Sequence, residues 1–250
     1  MQTGNPNLHI RRFEFKYLID ERDVDKIRRA VRNFVTYDQY VDKKTGYYRA
    51  TSLYLDDLEP SAYYEKLAGL KYRRKFRIRF YGEEAKNSTA AFFEIKKRDE
   101  TIIFKDRFES DIKTVKAVLV DREYEYLFDN EDGREFLAHL VKNKLEPNVL
   151  LSYKREAYFD EKSSNFRLTF DRNIIAKRVF GVDFDLNGST EVYPGFVILE
   201  AKFNRIMPAW FGMIIKSFGL SYEAFSKYCF SVESCGIVTR IDLPSNLPWI

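Results

Sequence analysis

The sequence predicts an α+β protein in which an eight-stranded antiparallel β-sheet closes into a tunnel or barrel with flanking helices. Eight segments alternate polar and apolar residues, as strands do when the two faces of a sheet have different surroundings. Short polar turns join several of these segments, which favours antiparallel hairpins. A sheet of about eight strands can close on itself, and alternate positions of its strands then line the interior.

The predicted strands are spread along most of the chain. They cover approximately residues 10–18, 47–55, 73–81, 90–98, 101–109, 148–158, 165–171 and 195–203. The dipeptide Asp99-Glu100 and the stretch 161–165 are short enough to be hairpin turns.

Four predicted helices flank the strands. The first begins after Asp20, a good N-cap, and the second covers residues 137–145, where apolar residues recur at helical spacing. Pro208 can open the third helix and Ser221 can begin the fourth. A shorter helix is expected at Tyr63.

The composition indicates one folded domain over residues 1–250. Hydrophobic residues make up 45% of the chain, with 22 Phe and 17 Tyr, which is enough for a large core. The sequence has neither an apolar N-terminal targeting segment nor an apolar run long enough to span a membrane. We therefore expect a cytoplasmic protein without a membrane span.

Cysteine and histidine are too scarce for soft-metal chemistry. Two cysteines and two histidines cannot form a disulfide framework or a zinc site. Any bound metal must have oxygen ligands, which favours Mg²⁺ or Mn²⁺. The 42 cationic and 38 anionic side chains nearly cancel, so a strong positive field requires local clustering.

Positive charge is concentrated in the segment RRKFRIRFYG, residues 73–82. Its alternate cationic positions are Arg73, Lys75, Arg77 and Arg79. In an extended strand these side chains share one face, while Phe76, Ile78 and Phe80 project from the other. The strand is therefore predicted to be cationic on one face and to pack into the core with the other.

A Glu-x-Lys pattern recurs on strands at the beginning, middle and end of the chain, in RFEFKYLI, FFEIKKR and VILEAKF. The polar residues of these three strands are Glu14, Lys16, Glu94, Lys96, Arg98, Glu200 and Lys202. Further charged residues on the predicted strands are Lys105, Arg107, Arg155, Arg167 and Asp171. Apolar residues flank both polar residues of VILEAKF, as in a strand that is buried on both faces.

Two interpretations of these charges are open. On a solvated sheet they would be cross-strand ion pairs worth about 0.2–1 kcal/mol each. In a closed interior they would be costly without compensation, and because cations outnumber carboxylates the missing partner would be an anion. Cations from many strands surround a volume, so the anion should be elongated, such as a triphosphate or a longer phosphate chain.

Side chains would have to hold such a phosphate chain, because the sequence has no G-x-x-x-x-G-K-[ST] loop. Arginine binds phosphate oxygens through a planar fork and lysine binds them as a point charge. One or two of Glu14, Glu94 and Glu200 can hold a divalent cation that bridges phosphate oxygens.

These motifs, taken in order, resemble the polyphosphate polymerase domain of the vacuolar transporter chaperone (VTC) family, within the triphosphate tunnel metalloenzyme (CYTH-like) superfamily. The resemblance covers nearly all 250 residues. Its stretches are FEFKYLI, TSLYLDD, YRRKFRIRFYG, FFEIKKR, FKDRF, YKREAYF, FRLTFDR, VILEAKF and FSKY.

The resemblance implies an enzyme that transfers the terminal phosphoryl group of ATP to a growing polyphosphate chain, using Mn²⁺ or Mg²⁺. The residues expected to act on the phosphates are Lys16, Arg77, Arg79, Lys96, Arg155, Arg167 and Lys202. Further substrate-binding residues are Lys75, Arg98, Lys105, Arg107 and Lys227, of which Lys105 and Arg107 can instead belong to the tunnel mouth. Glu200 is the first candidate metal ligand, followed by Glu14 and Glu94. The expected partners are ATP and polyphosphate or pyrophosphate.

Two alternatives remain at this stage. The same tunnel could serve a triphosphatase or polyphosphatase, or the chain could be a non-catalytic module that binds RNA or another polyanion. Single-strand binders stack bases on aromatic residues interleaved with cations. Here Phe76 and Phe80 face away from Arg77 and Arg79, so we expect no nucleic-acid partner.

Overall fold

A computed structural model of the chain describes residues 12–82, 90–100, 102–160 and 166–239. The strands are β1 Arg12–Asp20, β2 Thr36–Tyr37, β3 Tyr48–Asp56, β4 Tyr72–Tyr81, β5 Ala91–Asp99, β6 Ile102–Ser110, β7 Glu146–Phe159, β8 Arg167–Arg178, β9 Thr190–Glu191 and β10 Phe196–Asn204. The helices are α1 Glu21–Val31, α2 Ser61–Leu67, α3 Ile112–Lys116, α4 Glu131–Lys142, α5 Ala209–Ser217 and α6 Lys227–Ser234. A π-helical turn, Ala117–Asp121, and a 3₁₀ turn, Glu125–Leu127, connect α3 to α4.

The strands form one antiparallel sheet in the order β1-β10-β8-β7-β3-β4-β5-β6. The short strands β2 and β9 pair with β7 and β8 beside this path. The predicted α+β class with eight main antiparallel strands is therefore confirmed, whereas β2 and β9 were not predicted. Residues 10, 11, 101 and 161–165 of the predicted strands and turns lie outside the described residues.

The sheet curls so that its two end strands approach each other. The ammonium of Lys96 on β5 lies 3.0 Å from Glu14 Oε1 on β1, across the interior. Within the described residues, no backbone pairing joins β1 to β6. The free edge of β1 is instead used by the segment before α6, since the Glu223 amide donates to the Lys16 carbonyl at 3.0 Å. The result is a curled half-barrel with an interior face.

Two of the four predicted long helices, α1 and α5, begin where the sequence predicts. The helix predicted over residues 137–145 corresponds to α4, which begins at Glu131 and ends at Lys142. The Asp20 side chain accepts the Arg22 amide at the start of α1, and Pro208 directly precedes α5. The start at Ser221 is wrong, because α6 begins at Lys227 and the Ser226 side chain caps it. The backbone at Glu223 is bonded to β1 and so cannot join a helix.

Two of the three apolar cores lie on the outer face of the sheet, and the third lies on the inner face, where Leu151 and Ile198 belong to one cluster with residues of α2 and α6. Helices α1 and α5 pack on β1, β8 and β10, while α3 and α4 pack on β4, β5 and β6. Phe76 is 5% exposed and both Ile78 and Phe80 are fully buried, so the apolar side of the β4 segment is core, as predicted. Within the described part of the chain, no helix is long and apolar enough to cross a membrane.

Candidate functional site

The inner face of the curled sheet encloses a cavity of about 180 Å³ that opens to solvent. Among the described residues, eleven cationic side chains and three carboxylates line it, which gives the cavity a large excess of positive charge. The cations are Lys16, Lys66, Arg73, Lys75, Arg77, Arg79, Lys96, Arg98, Arg155, Lys202 and Lys227, and the carboxylates are Glu14, Glu200 and Glu223.

The strand register explains how distant parts of the sequence reach this face. On β3 and β4, Tyr54 lies opposite Arg77, and on β1 and β10, Lys16 lies opposite Glu200. Residues opposite each other in a sheet project from the same face. The alternate polar positions of each strand therefore converge on one interior, while the residues between them are buried outside.

Glu94 projects from the inner face opposite Arg77, where the cations around it separate it from the cavity. Its carboxylate accepts a hydrogen bond from Arg77 Nε at 2.7 Å, and Lys105 Nζ is 3.4 Å away. Arg107 Nε lies 2.7 Å from it in an ionic contact that lacks hydrogen-bond geometry. Burial acts to raise the pKa of Glu94, but Arg77 and the neighbouring cations hold it below its usual value. Glu94 thus holds Arg77 in place and is not one of the cavity-lining residues.

Arg79 has a different environment from its neighbour. Only 5% of it is exposed, and it donates to Ser52 Oγ at 3.1 Å and to the Tyr153 hydroxyl at 2.5 Å. Among the described residues, no carboxylate lies within ion-pair distance of it. A buried guanidinium with neutral partners is a strong binding group for an anion that enters the cavity.

Glu14 is surrounded by three lysines. Its oxygens lie 2.9 Å from Lys16, 3.0 Å from Lys96 and 3.6 Å from Lys202. Burial and the charge of Glu200 act to raise the pKa of Glu14, but the three ammonium groups bring it well below its usual value. Burial lowers the pKa of Lys96 to about 8, with Glu14 opposing the shift and the other lysines adding to it.

Glu200 also contacts lysines, at 2.6 Å from Lys202 and 3.6 Å from Lys227. The neighbouring Asp171 is fully buried and binds Arg155 through two hydrogen bonds of 2.6 Å. Lys227, at the start of α6, lies 2.6 Å from the same carboxylate. This contact joins α6 to the inner face of the sheet.

The predicted site residues fall into two groups. All of them line the cavity except Glu94, Lys105, Arg107 and Arg167. Lys75 lies at the cavity wall, where it donates to Ser226 Oγ at 2.8 Å. Arg167 is exposed, and Lys105 and Arg107 contact Glu94. The roles of all these residues in substrate binding or catalysis stay predictions.

Several cavity residues were not selected from the sequence. Tyr54 and Tyr153 line the wall, and both occupy alternate positions on predicted strands, so the register could have identified them. The pKa of Tyr54 falls to about 8 because Arg77 and Arg79 outweigh the effect of its burial. Lys66 on α2 carries no sequence signal, since only the tertiary fold brings α2 to the cavity.

The oxygen ligands near the cavity can supply only part of the coordination of a hard cation. Glu14 and Glu200 supply carboxylate oxygens, and the buried Thr169 hydroxyl, opposite Glu200 in the sheet, has no hydrogen-bond partner. Within the described residues, no group of three or more His, Cys, Asp or Glu could hold a metal ion. Mg²⁺ commonly binds one or two carboxylates and takes its other ligands from water and substrate phosphates, so these residues fit such an ion.

Two solved structures align with this chain at low sequence identity. A protein from Bacillus halodurans, provisionally described as an adenylate cyclase, aligns with a TM-score of 0.50 and 14% identity, over 86% of this chain and 95% of that one. The PH1819 protein from Pyrococcus horikoshii OT3 aligns with a TM-score of 0.45 and 15% identity, over 89% and 98% of the two chains. At such identity the first similarity concerns the fold alone.

A sequence search of curated proteins gives no significant match. The profile of the VTC domain, in contrast, matches residues 11–235, a range that includes every strand and helix described above. The match covers most of the chain and agrees with the order of motifs along the strands. The chain therefore belongs to the VTC domain family.

Proposed function

We propose that the chain is a metal-dependent polyphosphate polymerase that transfers the terminal phosphoryl group of ATP to a growing polyphosphate chain in the cavity. The observation that carries the proposal is the excess of positive charge, with eleven cations and three carboxylates around one cavity. Buried cations are unfavourable unless an anion compensates them, and a phosphate chain supplies several negative charges along its length. Membership of the VTC domain family supports this choice of anion.

The protein's task in phosphoryl transfer is to align the reactants and to stabilise their charge. Arg77 and Arg79 can bind phosphate oxygens through their planar guanidinium groups, and Lys16 and Lys96 act as point charges. An oxygen of the acceptor chain forms a bond to the terminal phosphorus of ATP as the bond to the ADP oxygen breaks. ADP leaves with that electron pair, and the acceptor oxygen needs no base because it is already charged.

Glu14, Glu200 and the Thr169 hydroxyl are the groups that would hold Mn²⁺ or Mg²⁺, which when bound neutralises charge on the phosphates. The variant Glu200→Gln tests this assignment. We expect calorimetry to show weaker Mn²⁺ binding, while inorganic tripolyphosphate without metal binds within about threefold of the original affinity. Unchanged Mn²⁺ binding would remove Glu200 from this role and leave Glu14 as the next candidate.

Transfer to water is the competing reaction, and the carboxylates do not favour it. A general base works best when its pKa lies near the working pH. The cations around Glu14 and Glu200 bring the pKa of both groups well below the usual value, against the effect of burial, so neither is a strong base for water. We therefore favour a phosphate acceptor over hydrolysis.

The direct test is to incubate the pure protein with ATP and Mn²⁺ and to measure ADP, free phosphate and polyphosphate chains on a gel. We expect ADP together with chains, a shorter lag when pyrophosphate or short polyphosphate is added, and slower turnover at high salt because screening weakens the contacts. Release of one free phosphate for each ADP, without chains even when primer is present, would identify a triphosphatase instead.

A further inference from the structure

We infer that the nucleobase of the nucleoside triphosphate stacks on Tyr48, Tyr81 and Phe92, which lie on the inner face next to the cavity, with its phosphates directed into the cavity toward Arg79, an assignment that rests on the proposed function. These three rings are called the aromatic end. They come from the adjacent strands β3, β4 and β5 and lie on the same face of the sheet as Arg77 and Arg79.

The three rings form a connected surface. The ring centroids of Tyr48 and Tyr81 are 5.8 Å apart, and those of Tyr81 and Phe92 are 5.7 Å apart, both in edge-to-face arrangements. Each of the three residues is half-buried, so part of each ring remains open to solvent. Flat aromatic bases stack on such rings with little dependence on the base.

Contacts within the wall hold this surface in place. Arg107 lies 4.0 Å from the Phe92 centroid and donates to the Tyr81 hydroxyl at 2.8 Å. Its ionic contact with Glu94 connects the aromatic end to the cationic wall. A surface that is already ordered loses less entropy when a ligand binds. Arg107 thus supports the rings, although it does not line the cavity.

The residues that follow the rings along the strands match the order of base, ribose and phosphates in a nucleotide. The Arg79 guanidinium carbon is 5.9 Å from the Tyr81 centroid, and Tyr48 pairs with Arg155 across β3 and β7. Residues two apart on a strand are separated by about 6.6 Å, a distance that a ribose can bridge. A base on the rings therefore brings the first phosphate to Arg79 and the later ones toward Arg77.

The part of the cavity that lies farthest along β4 from the aromatic end is cationic and not aromatic. Lys66, Arg73 and Arg98 line it from α2, β4 and β5, and no ion pair joins any of them to a carboxylate in the described part of the chain. Burial and mutual repulsion lower the pKa of Lys66 and of Arg73. A neutral base cannot compensate these charges, whereas a phosphate chain can. The two ends thus favour the base at the aromatic end and phosphate at the cationic end.

Binding measurements with two ligands test the assignment without turnover. The ligands are inorganic tripolyphosphate and an ATP analogue with an imido group between its last two phosphorus atoms, each with Mn²⁺. For Tyr48→Leu we expect the dissociation constant of the ATP analogue to rise about tenfold and that of tripolyphosphate to change less than about twofold. Tyr48→Phe keeps the ring and should bind both ligands within about threefold of the original protein.

Two further tyrosines serve as matched variants. Tyr72 is exposed on the outer face of β4, so Tyr72→Leu should change neither affinity. Tyr222 is 54% exposed and lines the cavity away from the aromatic end. If Tyr222→Leu weakens binding of the ATP analogue but not of tripolyphosphate, and Tyr48→Leu binds both ligands normally, the assignment is wrong. The base would then lie near Tyr222.

The remaining outcomes are also decisive. Equal weakening of both ligands by Tyr48→Leu would show that the ring supports the wall and does not bind a base, which overturns the assignment. If the original protein binds tripolyphosphate but gains nothing from the nucleoside, the assignment fails while phosphate binding stands. If it binds neither ligand, the proposed function itself fails. Thermal unfolding of each variant shows whether it is folded.

Discussion

Two buried charged clusters on opposite faces of the sheet have different charge balances. On the outer face, Arg28 of α1 forms two hydrogen bonds, of 2.7 and 2.8 Å, with Glu156 of β7. The Glu156 side chain is 3% exposed, and the Tyr158 hydroxyl also donates to it. Arg28 also contacts the exposed Asp25 carboxylate, so the buried pair has its charges matched within the protein and the cluster needs no ligand.

The cavity on the inner face is not balanced in this way. Its cations share few carboxylates, and Arg79 has only neutral hydrogen-bond partners among the described residues. Burial of charge therefore does not mark a binding site in this molecule. What separates the cavity from the Arg28–Glu156 cluster is that, among the described residues, its cations outnumber its carboxylates and Arg79 has no carboxylate partner.

The largest expected effect is on stability at the balanced cluster. Arg28→Ala leaves the Glu156 carboxylate buried without its cation, and loss of one partner of a buried pair typically costs about 3–5 kcal/mol. We expect a loss of unfolding free energy in this range by urea denaturation, while ADP formation for each folded molecule is unchanged. Arg29→Ala, an exposed neighbour on α1, is the control and should change stability by less than about 0.5 kcal/mol.

If Arg28→Ala forms ADP more slowly under conditions in which all of it is folded, the distinction between the two clusters is wrong. Such a result would show that α1 and β7 transmit an effect across the sheet to the cavity. The outer cluster would then influence the site, and a complete ion pair could no longer be regarded as purely structural.

The second prediction concerns the unbalanced cavity. Arg79→Met keeps most of the side-chain volume but removes a charge-assisted contact worth about 1.5–3 kcal/mol, so turnover should fall at least about tenfold. Unfolding free energy should stay constant or rise, because no carboxylate loses its partner and repulsion among cations decreases. Arg74→Met, on the outer face of the same strand, should leave both quantities unchanged. A destabilised Arg79→Met with normal turnover would make Arg79 a structural residue.

The alternation of charges along the strands was sufficient to predict both faces of this sheet. Phe76 and Ile78 are core, and Arg77 and Arg79 line the interior, because the side-chain period of a strand leaves no other arrangement. Neither the approach of β1 to β6 nor the path of residues 222–226 follows from strand periodicity. Both depend on how far the sheet curls, which is a property of the whole sheet.

The same limit applies to the three Glu-x-Lys segments, which look equivalent in sequence. In the structure Glu14 and Glu200 line the cavity, whereas Glu94 faces inward but contacts Arg77 and Arg107 and does not line the cavity. The pairing register and the position of β6 beside β5 decide this difference. Local pattern could predict that each carboxylate faces inward, but not which cations would reach it first.

Asp56 provides a third case, a buried carboxylate that has no cationic partner among the described residues. It is 2% exposed and accepts hydrogen bonds from the Asp57 and Ala62 amides and from the hydroxyls of Ser61 and Tyr228. Burial raises its pKa to about 6, although these hydrogen bonds oppose the shift. Hydrogen bonds from neutral donors thus do not fully offset the burial of this carboxylate.

The smallest expected effect follows from this raised pKa. Because the folded protein binds the proton more tightly than the unfolded chain, the Asp56 carboxyl contributes stability at low pH that is lost as pH rises through about 6. Relative to Asp56→Asn, which cannot titrate, the unfolding free energy of the original protein should fall by about 2 kcal/mol between about pH 4.5 and 7.5. Urea denaturation of both proteins across this range isolates Asp56, since every other titrating group is common to them. Parallel curves would show that Asp56 remains ionised when folded, and that neutral donors can balance a buried charge here as well as a guanidinium does.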